Sequence, residues 1–231
     1  MANHLDLEEQ EQLDQLKHFW KQYGNLITWC LIAILGAFAS WNFYQYWQRS
    51  QATQAAAMFD EVGRVVTAGD KEKIDRAFGD MKDRFASTAY AQQAGLLVAK
   101  QYYSTGNVDA AVAALTWVAN KSSDPGYQAI AKLRLAGLLM DSKSFDEAFK
   151  QLAGSFPVSF DALVADRRGD ILLMQNKKPE AIDAYLKAFN SFEERAEYRR
   201  LVEVKLNSLG VDPQSVSASR SSSVAAAEGK K

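Results

Sequence analysis

Three stretches decide the reading of this chain. They are Gly106-Asn107-Val108-Asp109-Ala110-Ala111-Val112-Ala113-Ala114-Leu115, Lys143-Ser144-Phe145-Asp146-Glu147-Ala148-Phe149-Lys150-Gln151-Leu152 and Asn176-Lys177-Lys178-Pro179-Glu180-Ala181-Ile182-Asp183-Ala184-Tyr185. Each opens on turn-forming residues and then places a small residue (Ala111, Ala148, Ala181) at the same offset, with spacings of 37 and 33 residues. Four positions further on stands a large apolar residue: Leu115, Leu152 or Tyr185. Residues four apart share one face of a helix. The small residue therefore marks where a second helix crosses a first, and the large one fills the gap beside the crossing. The preceding helix of each copy carries its own small residue, at Ala99, Ala136 and Gly169. A weaker fourth copy centres on Ile74, another 37 residues upstream, with Phe78 in the place of Leu115.

A repeat of this length made of two helices resembles the tetratricopeptide repeat, whose period is about 34 residues. The glycine and tryptophan of a strong consensus are mostly missing, so these are degenerate copies. The expected fold is all-α: an α-solenoid of helical hairpins, with an irregular helical bundle of similar spacing as the competing architecture. Turn signals at Ala68-Gly69-Asp70, Thr105-Gly106-Asn107, Ser122 to Gly126, Ser142-Lys143-Ser144 and Asn176 to Pro179 separate amphipathic segments of about 12 to 20 residues. No stretch alternates strictly between apolar and polar. Phe192 to Leu209 reads as one more helix, charged on one side, suited to closing the end of a solenoid. Beyond Asp212 the chain turns Ser/Ala-rich without aromatics, the composition of a disordered tail.

Upstream of the repeats, Gln22 to Gln48 contains no charged residue. About 20 apolar residues suffice to cross a bilayer as a helix. Phe19, Trp20 and Tyr23 precede the run and Trp41, Tyr44, Tyr46 and Trp47 follow it, as aromatic belts do at the two headgroup levels. The competing readings are a buried core helix and a cleavable signal peptide, since Ala37-Phe38-Ala39 resembles a cleavage site. Against cleavage, the preceding region is long and acidic, and the apolar run continues past Ala39. Lys17 and Lys21 on one side against Arg49 on the other mildly favour a cytoplasmic N-terminus. Gly36, Ala37, Ala39 and Ser40 give the helix a small-residue surface that permits close packing against another membrane helix. The expected organisation is a cytoplasmic tail (1–24), a transmembrane helix (25–47), a repeat domain (48–210) and a disordered tail (211–231).

Composition narrows the chemistry. The net charge of -1 over 231 residues argues against nucleic acid as a partner. The single cysteine, Cys30, lies in the apolar run, and both histidines, His4 and His18, precede it. The repeat domain therefore holds no disulfide, no cysteine or histidine metal site and no histidine base. No glycine-rich phosphate loop occurs, and no cofactor is expected. Asp166, Asp170, Asp183 and Glu180 are spaced as on a solvated helix face, which is preferred to a paired acid/base arrangement. Arg195, Arg199 and Arg200 alternate with Glu193, Glu194 and Glu197, a pattern of ion pairs along a helix. The expectation is a non-enzymatic protein.

A repeat array of this kind binds through a concave face lined by the first helix of each pair. By register the candidates are Gln93, Leu96, Lys100 and Tyr103 in one copy, Ile130, Leu133 and Met140 in the next, and Asp166, Asp170 and Leu173 in the last. Mixed apolar and polar residues along one groove suit a peptide or helix.

The whole arrangement resembles the YfgM-like ancillary SecYEG translocon subunits, from about Leu13 to Leu209. The closest local matches are Lys17-His18-Phe19-Trp20-Lys21-Gln22-Tyr23-Gly24-Asn25, Val164-Ala165-Asp166-Arg167-Arg168-Gly169-Asp170 and Lys205-Leu206-Asn207-Ser208-Leu209. The tail beyond Asp212 departs from the pattern. The resemblance implies a single-pass type II protein of the bacterial inner membrane, with its repeat domain in the periplasm beside the SecYEG channel. It further implies association with the membrane-anchored periplasmic chaperone PpiD and a role in passing emerging chains to periplasmic chaperones, with unfolded client chains as a further candidate partner. A scaffold for another envelope assembly complex is the alternative function.

Overall fold

The computed structural model describes residues 7–215, with side chains described at 13, 15 and from 17 onward. The described residues form nine α-helices and no strand: α1 Leu7–Ala68, α2 Lys71–Phe85, α3 Ala89–Ser104, α4 Val108–Lys121, α5 Pro125–Asp141, α6 Phe145–Gln151, α7 Asp161–Met174, α8 Lys178–Ser191 and α9 Glu197–Ser208, with one 3-10 turn at Val158–Phe160. The expected tail beyond Ser215 lies outside the described residues. The chain divides into two compact units, Met1–Gln54 and Ala55–Lys231.

From Leu7 onward the first unit is helical. Its apolar stretch reaches a mean hydropathy of 1.7 and buries none of it within the structure, so this helix is long and apolar enough to cross a membrane. Leu26, Trp29, Ile34, Leu35 and Phe38 are all exposed. The polar side chains in the run bond back to their own helix. Thr28 Oγ1 donates to the Gly24 carbonyl at 2.8 Å, and Asn42 Nδ2 to the Phe38 carbonyl at 3.0 Å. In hydrocarbon, where water cannot serve as partner, such bonds spare these groups a desolvation cost. Gly36, Ala37, Ala39 and Ser40 lie exposed on this helix.

The second unit is a stack of helical hairpins. The end of α1 shares one core with α2, α3 and α4; α3 pairs with α4, α5 with α6 and α7 with α8, and α9 packs on α8. The turns inside the hairpins are built alike. Gly69, Gly106, Lys143 and Asn176 take left-handed φ values of 74°, 78°, 62° and 62°, at spacings of 37, 37 and 33 residues. In the last three, the following residue's N–H reaches back five residues to close the helix: Asn107 to the Tyr102 carbonyl (2.8 Å), Ser144 to Leu139 (2.8 Å) and Lys177 to Leu172 (2.9 Å). These are Schellman closures, which satisfy the orphan carbonyls of a helix end. At the weaker fourth copy, Ile74 and Phe78 are both buried, and Gly69 shares the left-handed turn without the same closure. Side-chain caps open α2 to α5: Asp70 accepts from the Lys73 N–H, Thr88 from Ala91, Asn107 from Ala110 and Asp124 from Gly126 and Tyr127.

Packing follows the small-then-large pattern. Ala111, Ala148 and Ala181 are fully buried, with Leu115, Leu152 and Tyr185 buried beside them. The tightest crossings use glycine. A Cβ added at Gly169 would lie 2.5 Å from the Tyr185 ring, and one at Gly95 2.5 Å from Val118.

Two expectations are corrected. α6 is only seven residues long, shorter than the expected 12 to 20; Gly154 takes a φ of 92° and Pro157 follows, so the helix cannot continue. The final helix does not start at Phe192. Phe192 is extended (ψ 144°) and α9 begins at Glu197, because Phe192 turns inward to stack on Tyr198, with ring centroids 5.3 Å apart.

Candidate partner-binding cleft

Successive first helices are tied by polar contacts about one repeat apart in sequence. Gln93 Nε2 donates to the Tyr127 hydroxyl at 2.7 Å, joining α3 to α5. The Tyr103 hydroxyl donates to Asp141 Oδ2 at 2.7 Å across the same pair, and that carboxylate raises the Tyr103 pKa above its ordinary value. Between these ties lies a cleft of about 450 Å³ lined by Leu96, Ala99, Lys100 and Tyr103 of α3, Leu115 of α4, Leu133, Arg134, Gly137, Leu138, Met140 and Asp141 of α5, and Arg167 of α7. Its floor is apolar and its edges carry Lys100, Arg134 and Arg167. Helix spacing explains the convergence: Leu96, Lys100 and Tyr103 fall on one stripe of α3, and Leu133, Gly137 and Met140 occupy the matching positions of α5, 37 residues on.

Five of the residues named from sequence therefore meet in one cleft: Leu96, Lys100, Tyr103, Leu133 and Met140. Gln93 sits beside it in its bond to Tyr127, and Ile130 is half-buried. Leu173 is 36% exposed near the end of α7. Ala99 and Leu115, read from sequence as packing residues, line it as well, and Arg134, Gly137, Leu138, Asp141 and Arg167 complete it. The repeat register, which aligns Gly137 with Lys100, is the signal that points to Gly137.

Asp166 and Asp170 face elsewhere. Asp166 is 1% exposed, which corrects the reading of a solvated acidic face. Lys205 of α9 places its ammonium 2.7 Å from Asp166 Oδ1 and 2.6 Å from Asp170 Oδ1. The Tyr198 hydroxyl donates to Asp166 Oδ2 at 2.9 Å, and the Tyr185 hydroxyl to Asp170 Oδ1 at 2.8 Å. Burial raises the Asp166 pKa, opposed by the Lys205 hydrogen bond, and the nearby Asp170 charge raises it further. Burial, with the Asp166 carboxylate beside it, pushes the Tyr198 phenol up to about 12. This cluster fastens α9 to the last hairpin. Arg199 likewise does not serve the expected ladder of ion pairs. Its guanidinium lies 3.7 Å over the Phe189 ring and its Nε donates to the Phe189 carbonyl at 3.1 Å.

An apolar helix of membrane-crossing length followed by stacked helical hairpins defines a tetratricopeptide-repeat-like protein with an N-terminal anchor, and the family model described as tetratricopeptide repeat-like domain matches residues 17–211. The chain is 30% identical over 210 residues to the ancillary SecYEG translocon subunit of Neisseria gonorrhoeae, across 90% of this chain and 100% of that one. It is 28% identical over 203 residues to the ancillary SecYEG translocon subunit of Haemophilus influenzae (88% and 98%). To that of Escherichia coli K12 it is 26% identical over 206 residues (88% and 97%). No solved structure matches the chain significantly. The chain belongs to the family of the ancillary SecYEG translocon subunits.

Proposed function

We propose that this protein is a non-enzymatic accessory of the SecYEG channel that meets its partners through the α3–α5 cleft. Residues 25–47 hold it in the inner membrane with residues 1–24 in the cytoplasm. Residues 48–210 stand in the periplasm as the repeat domain, and residues 211–231 trail from it as a disordered tail. The small-residue surface at Gly36, Ala37, Ala39 and Ser40 gives the anchor a face for packing against other membrane helices. In this position the cleft contacts the anchored chaperone PpiD and chains leaving the channel, and passes those chains on.

The observation that carries this reading is the near end-to-end match, anchor included, to relatives named for the SecYEG translocon. The cleft supports it from the structural side, because an open apolar groove with polar edges recognises a peptide or helix. The test is purification of the tagged chain from native membranes in mild detergent. Recovery of channel subunits and PpiD is the expected result. Recovery of a different envelope assembly complex, with no channel subunit, would overturn it.

A further inference from the structure

The charges around the cleft specify its occupant more narrowly. Three cations, Lys100, Arg134 and Arg167, stand at the edges of an apolar floor. Asp141 is the one carboxylate among the lining residues, and it already accepts the Tyr103 hydroxyl. Lys100 and Arg134 are exposed. Arg167 lies 3.7 Å from Asp170 Oδ2, a long contact, while the other oxygen of Asp170 is held by Lys205 and Tyr185.

The last repeat shows the opposite sign at equivalent positions. Leu96, Leu133 and Asp166 occupy one register, and Lys100, Gly137 and Asp170 another. Where the register is acidic, the neighbouring helix α9 supplies Lys205. Where it is apolar with cationic edges, no ion pair to Lys100 or Arg134 forms among the described residues, and Arg167 has only its 3.7 Å contact with Asp170.

We propose that the cleft between α3 and α5 takes a peptide segment of a partner protein in which leucine-like side chains alternate with carboxylates. The apolar side chains seat on Leu96, Leu133 and Met140, and the carboxylates pair with Lys100, Arg134 and Arg167. This rests on the proposed function only in taking the cleft as a protein-contact site. Charge complementarity at such edges sets partner choice and association rate, and it weakens as salt screens it.

The test uses the full chain in nanodiscs of zwitterionic lipid and fluorescence anisotropy of a labelled twelve-residue peptide of leucine and glutamate. The comparator is the same peptide with glutamine in place of glutamate. The glutamate peptide is expected to bind about tenfold more tightly at low salt, with the advantage shrinking as salt rises. The double variant Lys100→Gln/Arg134→Gln removes the advantage, and these exposed positions leave the fold intact, as circular dichroism checks. Leu133→Ala weakens both peptides. Equal binding of the two peptides, an advantage that survives the double variant, or binding of neither peptide would overturn the proposal. Co-purification with SecYEG is read separately, so a failure here is distinguishable from a failure of the proposed function.

Discussion

Gly169 lies directly beneath Tyr185: the space a β-carbon would need at position 169 is 2.5 Å from Cε1 of the ring. The ring is itself almost fully buried and its hydroxyl is anchored to Asp170, so it has nowhere to move. Gly169→Ala is therefore expected to destabilise the repeat domain by about 1–3 kcal/mol through overpacking. Gly79 provides the opposite sign in the same kind of element. Nothing lies within 4 Å of a Cβ built there, so Gly79→Ala is expected to stabilise by about 0.5–1 kcal/mol through helix propensity. Denaturant melts of both variants check the pair. Loss of stability in Gly79→Ala, or none in Gly169→Ala, would contradict the packing described.

Lys205 serves two carboxylates at once, and one of them is buried. Its removal in Lys205→Met leaves Asp166 inside the protein without its cation. The expected loss is about 3 kcal/mol, in the range for breaking a buried pair from one side. Because α9 is what Lys205 holds, hydrogen exchange in Glu197–Ser208 should rise more than in α3 or α4. A uniform rise would show that the cluster does not act as a latch.

The same carboxylate predicts a pH dependence. Asp166 binds its proton more tightly in the fold than at its ordinary pKa of 3.8, because burial disfavours the charged form. Its contribution to stability is therefore fully present below 3.8 and is lost as pH rises through the higher folded value. The stability of the native protein minus that of Asp166→Asn should thus increase as pH falls from neutral towards 4, the region just above 3.8. A difference that stays flat or decreases on acidification would exclude a raised pKa.

Ile34 lies exposed at the middle of the apolar run. Ile34→Arg is expected to impede membrane insertion by about 2.5–3.5 kcal/mol, the cost of an arginine at the centre of a spanning helix. Alkaline extraction of membranes reads this directly: the variant should shift towards the soluble fraction, and full retention would argue against this segment as the span.

The hairpin stack was legible in the sequence because its signals are local. The turn residues at Gly106, Lys143 and Asn176 and the small residues that follow them fix where each second helix starts and what it packs on. The start of α9 was not legible. Phe192 to Ala196 contains no glycine or proline, and only the burial of Phe192 against the last hairpin ends α8 there. The length of α6 depended on Gly154-Ser155-Phe156-Pro157, a breaker stretch that falls between the turns marked by the repeat spacing. In the site, the stripes Leu96–Lys100–Tyr103 and Leu133–Met140 followed from helical period. The misplacement of Asp166 and Asp170 had a different origin. Lys205 lies 39 and 35 residues further along the chain, and no short-range pattern links an acid on one helix to a cation on the cap two helices later.

On the proposed function, the α3–α5 cleft meets partners at the translocon. A photo-crosslinking amino acid at position 133, inside the cleft, tests it in intact cells during secretion, with position 79 on α2, outside the cleft lining, as control. Position 133 is expected to give adducts with SecYEG subunits, PpiD or a chain in transit, and position 79 is not. Equal adducts from both positions, or none from position 133, would contradict the account.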